Sequence, residues 1–236
     1  MAGDDDIRAV YGALDRCLQY GVDPFGWRMQ LCLDMAELFS ARVTLCGEVT
    51  AIWDDDRAMV GHMVDHGWPS EEAKSHFVRY QIDGANRRDP MRRVLDPLRS
   101  DLVVAACSQL VEVAAYRASE VYREYMARAG IGDIMTAITA IGDERADRWT
   151  LATCMRAADA APFSDEELDR FGVVASELRL LVGGRLADAA TSPISALTQR
   201  QRQALDALLT GAGERHCADA IGVRPGTFHG YVRSIY

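Results

Sequence analysis

Lysine is almost missing from this chain of 236 residues: Lys74 is the only one, so arginine carries nearly all of the basic charge. With so much alanine, that bias fits a GC-rich genome better than a dedicated guanidinium chemistry. Long apolar runs are missing as well. The longest, Leu102 to Val111, is about half of the ~20 residues a membrane-spanning helix needs, so no membrane partner is expected. The six cysteines, Cys17, Cys32, Cys46, Cys107, Cys154 and Cys217, form no CxxC pair and no zinc-like spacing, and read as small buried hydrophobes. GxGxxG, P-loop, HExxH and GxSxG motifs are all lacking, and no motif gathers a Ser, Cys, His and Asp set. Neither an enzymatic activity nor a cofactor is therefore expected. The start, Met-Ala-Gly-Asp-Asp-Asp, is acidic where a signal peptide is basic, which predicts a cytoplasmic protein.

What remains is ordinary globular composition, 49% hydrophobic and 26% charged, which excludes a disordered or collagen-like chain. The net charge of −9 argues at first against nucleic acid. That charge is unevenly spread. From Ser195 onward five arginines face three acids, a net +2, leaving −11 on the rest. A small basic module therefore follows an acidic one. The polar stretch Thr191–Ser195, with Pro193 unable to continue a helix, predicts a linker over 191–196 between domains 1–190 and 197–236.

In the first domain, helices are predicted at about 5–20 and 24–40 and over Pro69–Ile82 and Ser119–Ala129, the last ended by Gly130. Strand-like runs lie at Val43–Trp53, Met59–Val64, Leu102–Ala106, Ile134–Ile141 and Trp149–Arg156. Strands joined by short turns predict an α+β fold with an antiparallel sheet flanked by helices. Ser164 and Glu167 form a capping box ahead of a helix with Leu168, Phe171, Val174, Leu178, Leu181 and Leu186 in one stripe. That stripe suits packing on the sheet or a dimer seam. His62 and His66 share a face of a regular strand about 13 Å apart, too far for one ion, so no metal is expected.

The second domain reads as three short helices. Thr198 and Gln201 form another capping box, Gly211 and Gly213 end the first helix, the second turns at Gly222, and Pro225 opens the third. Phe228, Val232 and Ile235 face the core, which leaves His229, Gly230 and Arg233 outward. A last helix presenting polar and basic side chains after a tight turn suits a major groove, and equally a small bundle for protein contacts.

The run Leu197-Thr198-Gln199-Arg200-Gln201-Arg202-Gln203-Ala204-Leu205 resembles the LTxRExxVL opening of LuxR-type helix-turn-helix domains. Gly211, Ala218, Ile221-Gly222-Val223, Thr227-Phe228 and Ile235-Tyr236 follow that family's pattern without gaps. The resemblance implies a transcription regulator acting as a homodimer on DNA. His229, Gly230 and Arg233 match positions facing bases, and Arg224 and Thr227 positions near phosphates. Gln201, His216, Cys217 and Tyr231 depart from the pattern, and Gly226 and Gly230 each cost about 0.8–1 kcal/mol within a helix. The family continues past the position of Tyr236 with a Lys-Leu-rich turn and a fourth helix, so the module is expected to be cut short or degenerate. A degenerate module would belong to an interaction protein that does not bind DNA and acts by heterodimerisation.

Such an output domain implies a sensor of the PAS/GAF-like kind. Tyr80 and Asp89-Pro90 keep the spacing of acyl-homoserine-lactone receptors, with His76 where those carry a Trp, and Tyr122–Ile131 resembles their FxxxAxxxGL helix. The resemblance implies a small organic ligand held by Tyr80 and Asp89 and lined by Trp53, Trp68, Phe77, Met126, Met135 and Met155. Asp89 equally suits a cap on the Pro90 helix, and the aromatic and methionine set equally suits a packed core.

Overall fold

The computed structural model describes residues 4–54, 58–95, 98, 100–142, 147–188 and 197–235. The chain divides into two compact units, Met1–Ala189 and Ala190–Tyr236. The expected linker over 191–196 lies outside the described residues, as do 143–146 in the turn between the last two strands and Tyr236.

The first unit opens with helices α1 (Asp4–Leu18) and α2 (Pro24–Leu38), then strands β1 (Val43–Thr50) and β2 (Met59–His66) and helix α3 (Glu71–Ile82). A 3-10 turn (Ala85–Arg88) leads to α4 (Pro90–Leu95), β3 (Leu102–Ala106), α5 (Cys107–Leu110) and α6 (Val113–Ala118). A π-helical turn (Tyr122–Met126), β4 (Ile131–Ala140), β5 (Arg148–Ala157) and α7 (Asp165–Leu181) complete it. The strands form one antiparallel sheet in the order β2-β1-β5-β4-β3, so the unit is α+β with helices on both faces.

Strand parity decides which side chain meets which layer. Cys46, Ala106, Met135, Ala137, Ala152 and Cys154 face α1, α2 and α7, whose Val10, Leu14, Trp27, Leu31, Phe171, Val174 and Leu178 complete that core. Phe39 and Phe171 meet edge to face there, with ring centroids 5.3 Å apart. The alternate residues Val43, Leu45, Ile134 and Met155 face the layer that contains α3 and the π turn. All ten residues of β4 are buried because both of its faces are covered, so its polar Asp133, Thr136 and Thr139 are buried as well and no apolar–polar alternation marks a solvent face.

Local signals place the helices. The Ser164–Glu167 capping box is formed and starts α7, whose stripe buries Phe171, Val174, Ala175 and Leu178. Leu180, off that stripe, is exposed. Ser70 caps α3 by accepting from Ala73 N at 3.1 Å. Between β2 and α3, Gly67 has φ +91°, and a Cβ there would lie 2.0 Å from the Arg42 carbonyl oxygen. Only glycine fits.

Three local expectations change. The segment read as one helix over Ser119–Ala129 contains the π turn, with Ala127 N–H bonded to the Tyr122 carbonyl at 2.8 Å. β1 stops at Thr50, and Trp53 lies in the turn that follows. Between β1 and β2 the register shifts, Cys46 pairing with Val64 but Glu48 with Gly61, and His62 has φ +47°, so the regular spacing assumed for His62 and His66 does not hold. The His62 ring instead packs on Phe25 at 5.0 Å.

The second unit is α8 (Gln199–Leu209), α9 (Glu214–Ala220) and α10 (Pro225–Ile235). Its core is Ala204, Cys217, Ala218 and Phe228, with Leu208, Ile221, Val223, Val232 and Ile235 packed around it. The Thr198–Gln201 capping box is formed. A short turn with Gly222 at φ +68° separates α9 from α10. Among the described residues, no helix of the chain is long and apolar enough to cross a membrane.

Candidate functional site

The centre of the first unit's second layer is a buried carboxylate. Helix α3 turns Tyr80 inward, Gly84 at φ +66° and the 3-10 turn reverse the chain, and Asp89 arrives just ahead of α4. Its Oδ1 accepts from Met91 N at 2.8 Å, the capping bond expected beside Pro90. Its Oδ2 accepts from the Tyr80 hydroxyl at 2.8 Å and, more weakly, from the Tyr116 hydroxyl at 3.4 Å. The cap and the tyrosine contact therefore coexist on one side chain. A carboxylate offers about four lone-pair positions, so three donors leave one for a further N–H or O–H.

Tyr116 was not among the residues singled out from the sequence. It sits on α6, which Glu112 starts by accepting from Ala114 N at 2.9 Å and Ala115 N at 2.6 Å. An acid followed by a short run of good helix formers was the available signal.

Burial sets the electrostatics. It raises the Asp89 carboxyl above its ordinary value, against the opposing bonds from Met91 N, Tyr80 and Tyr116. Burial, and then the Asp89 charge, push the Tyr80 and Tyr116 phenols upward as well. Both phenols therefore stay protonated at neutral pH and act as donors toward Asp89.

Around this centre, Trp68 and Phe77 have ring centroids 5.3 Å apart, Phe77 and Tyr80 5.8 Å, and Tyr80 and Tyr125 6.1 Å. Tyr116 meets Tyr122 at 5.4 Å. The π turn buries Tyr122 and Met126 and sends the Tyr125 hydroxyl to Asp83 at 3.1 Å. Tyr80, Phe77, Trp68, Met126 and Met155 thus share one cluster. Trp53 belongs to the adjoining cluster on the same sheet face, edge to face with Trp149 at 5.7 Å and 5.5 Å from the Arg92 guanidinium. Met91 packs against both clusters.

Met135 is corrected. It is fully buried on the opposite face of the sheet, in the core beneath α1, α2 and α7, because it follows Ile134 and adjacent strand residues point to opposite sides. It lines nothing near Asp89. The same face as Asp89 also carries a polar pair the sequence did not flag: the Thr136 and Thr153 hydroxyls lie 3.0 Å apart on neighbouring strands.

A second buried carboxylate, Asp133, is fully used. Its oxygens accept from Ser108 N (3.1 Å), Ser108 Oγ (2.9 Å), Ile134 N (3.0 Å) and Phe163 N (2.9 Å). With four donors it clasps α5, β4 and the approach to α7, and is a structural tie.

In the second unit, Arg224, Thr227, His229, Gly230 and Arg233 are all exposed, while Phe228 is buried. A Cβ on Gly226 or Gly230 would meet nothing within 4 Å. The His229 ring bonds through Nδ1 to Glu214 Oε2 at 3.1 Å.

The sequence matches no protein-family model and none of the curated proteins. Solved structures are similar in fold. The ligand-binding domain of VqsR from Pseudomonas aeruginosa superposes with a TM-score of 0.51 at 15% identity, covering 72% of this chain and 92% of that domain. Weaker likenesses are to CepR2 of Burkholderia cenocepacia, an N-acylhomoserine lactone dependent LuxR family transcription factor, and to SdiA of Escherichia coli. CepR2 has a TM-score of 0.46 at 16% identity, over 76% of this chain and 93% of that one. SdiA has a TM-score of 0.45 at 12% identity, over 96% and 88%.

Proposed function

We propose that the chain is a cytoplasmic transcription regulator whose first unit binds a small organic ligand and whose second unit, a LuxR-type helix-turn-helix, binds DNA as part of a homodimer. The observation that carries the ligand role is the buried Asp89 carboxylate under Tyr80 and Tyr116, ringed by Trp68, Phe77, Met126 and Met155. Such a site suits an amphiphilic molecule that presents an amide N–H or hydroxyl to Asp89 and lays an apolar tail on the aromatic and methionine side chains. The fold likeness to a domain named for ligand binding supports this role. The exposed Arg224 just ahead of α10 and the exposed Thr227, His229 and Arg233 along it support the DNA role.

The test is twofold. Native mass spectrometry of the full chain, followed by organic extraction, is expected to find a co-purified small molecule in wild type and much less in Asp89→Ala. Promoter fragments from neighbouring genes are expected to shift at low salt. An empty wild-type site that also fails to bind acyl amides sinks the sensor role, and no shift with or without ligand sinks the DNA role. Gly226 and Gly230, which weaken α10, favour the other outcome, an interaction protein that acts by heterodimerisation.

A further inference from the structure

We propose that Glu214 sets the tautomer of His229 and through it the base that α10 reads: adenine or cytosine, recognised by the exocyclic amino group. The inference rests on the DNA-binding role proposed above.

Fifteen positions separate the two residues, and the turn at Gly222 brings the first residue of α9 against the exposed side of α10. Cys217, Ala218 and Phe228, buried beneath, hold the two helices at this spacing. The contact is His229 Nδ1 to Glu214 Oε2 at 3.1 Å, with side-chain exposures of 60% and 44%. An ionised carboxylate can only accept, so Nδ1 must carry the hydrogen. A neutral imidazole has one ring hydrogen, which leaves Nε2 bare. Nε2 has no hydrogen-bond partner among the described residues, on a side chain that is largely exposed. An unconstrained histidine favours the other tautomer, with the hydrogen on Nε2, so Glu214 reverses the ordinary preference.

The consequence follows from the edges that bases present in the major groove. Adenine N6 and cytosine N4 donate, whereas guanine O6 and N7 and thymine O4 accept. A bare Nε2 accepts from the first pair and has nothing to give the second. Glu214 is thus a positioning residue that turns His229 from a potential donor into an acceptor.

Two measurements on the full chain test this. Imidazole nitrogen spectra at alkaline pH, with the His229 signal assigned by its loss in His229→Gln, are expected to show Nδ1 protonated in wild type and Nε2 protonated in Glu214→Ala. Selection from a random duplex pool at low salt is expected to yield one position with roughly tenfold preference for adenine or cytosine over guanine or thymine. His229→Ala erases that preference and Glu214→Ala moves it toward guanine or thymine. Protonated Nε2 in wild type, or an unchanged base preference in Glu214→Ala, overturns the inference alone. A wild-type chain that retains no duplex overturns the DNA-binding role, and the inference with it.

Discussion

The Tyr80 hydroxyl donates to Asp89 Oδ2 at 2.8 Å across nine residues of chain, and both side chains are buried. The pair joins α3 to the start of α4 and so ties together the two elements that frame the candidate site.

Tyr80→Phe removes the stronger of the two phenolic donors to a buried carboxylate. Loss of stability of about 1.5–3 kcal/mol is expected from urea unfolding. Tyr116→Phe removes a 3.4 Å contact and is expected to cost less, about 0.5–1 kcal/mol. Equal costs in the two variants would mean that Asp89 does not organise the site as the distances indicate.

Raising the pH acts on this centre in one direction in both the acid and the alkaline range. Asp89 and the two phenols all have folded-state values raised above the ordinary 3.8 and 10.0. The folded state therefore binds more protons than the unfolded one in each window, and stability falls as pH rises through it. Asp89→Asn is expected to lessen the loss of stability on going from pH 3.8 upward through the carboxylate range. Above pH 10 the wild type is expected to destabilise progressively, with Tyr80 and Tyr116 ionising only as the chain unfolds, read from phenolate absorbance against circular dichroism. Ionisation of every tyrosine before any unfolding contradicts this.

On the other face of the sheet, Arg28 has no exposed side-chain surface and pairs with Glu48 of β1, while Arg148 links Glu48 at 3.4 Å to Asp188 at 2.6 Å. Glu48→Ala strands a buried guanidinium, and a loss of about 3–5 kcal/mol is expected. The double variant Arg28→Met with Glu48→Leu is expected to recover most of it, because a buried pair is often no better than apolar groups of similar volume. Chemical denaturation of both variants decides; no recovery in the double variant contradicts the expectation.

Gly67→Ala places a methyl group against the Arg42 carbonyl at a positive φ. A loss of about 2 kcal/mol or more and a lowered melting temperature are expected. Gly142→Ala has a comparable φ of +69° but open space around its Cβ, and is expected to cost less, about 1 kcal/mol. Thermal unfolding of the two variants side by side separates the steric part from the conformational part.

Much of the helical framework was legible because its signals are local. The Ser164–Glu167 and Thr198–Gln201 boxes each link residues three positions apart and form in the structure. Antiparallel strands joined by short connections followed from spacing, and the five-stranded sheet has that character. Helix α4 was legible only from Pro90, and the short helices α5 and α6 were missed, since four to six residues carry no periodicity to read. Tyr116 was missed with them. Met135 was misplaced because every residue of β4 is buried, and its polar Thr136 and Thr139 fall on opposite faces, so polarity does not mark a solvent side.

By itself, the sequence determined the uneven charge, the capped helices α7 and α8 and the alternation of strands with turns, because each depends on neighbours within a few positions. Only the tertiary structure decided which face of β4 meets α3, that Tyr116 joins Tyr80 on Asp89, and that Glu214 meets His229. The Asp89–Tyr116 bond joins residues 27 positions apart and the Glu214–His229 bond residues 15 positions apart. Their geometry is set by how the layers pack, which no local pattern records.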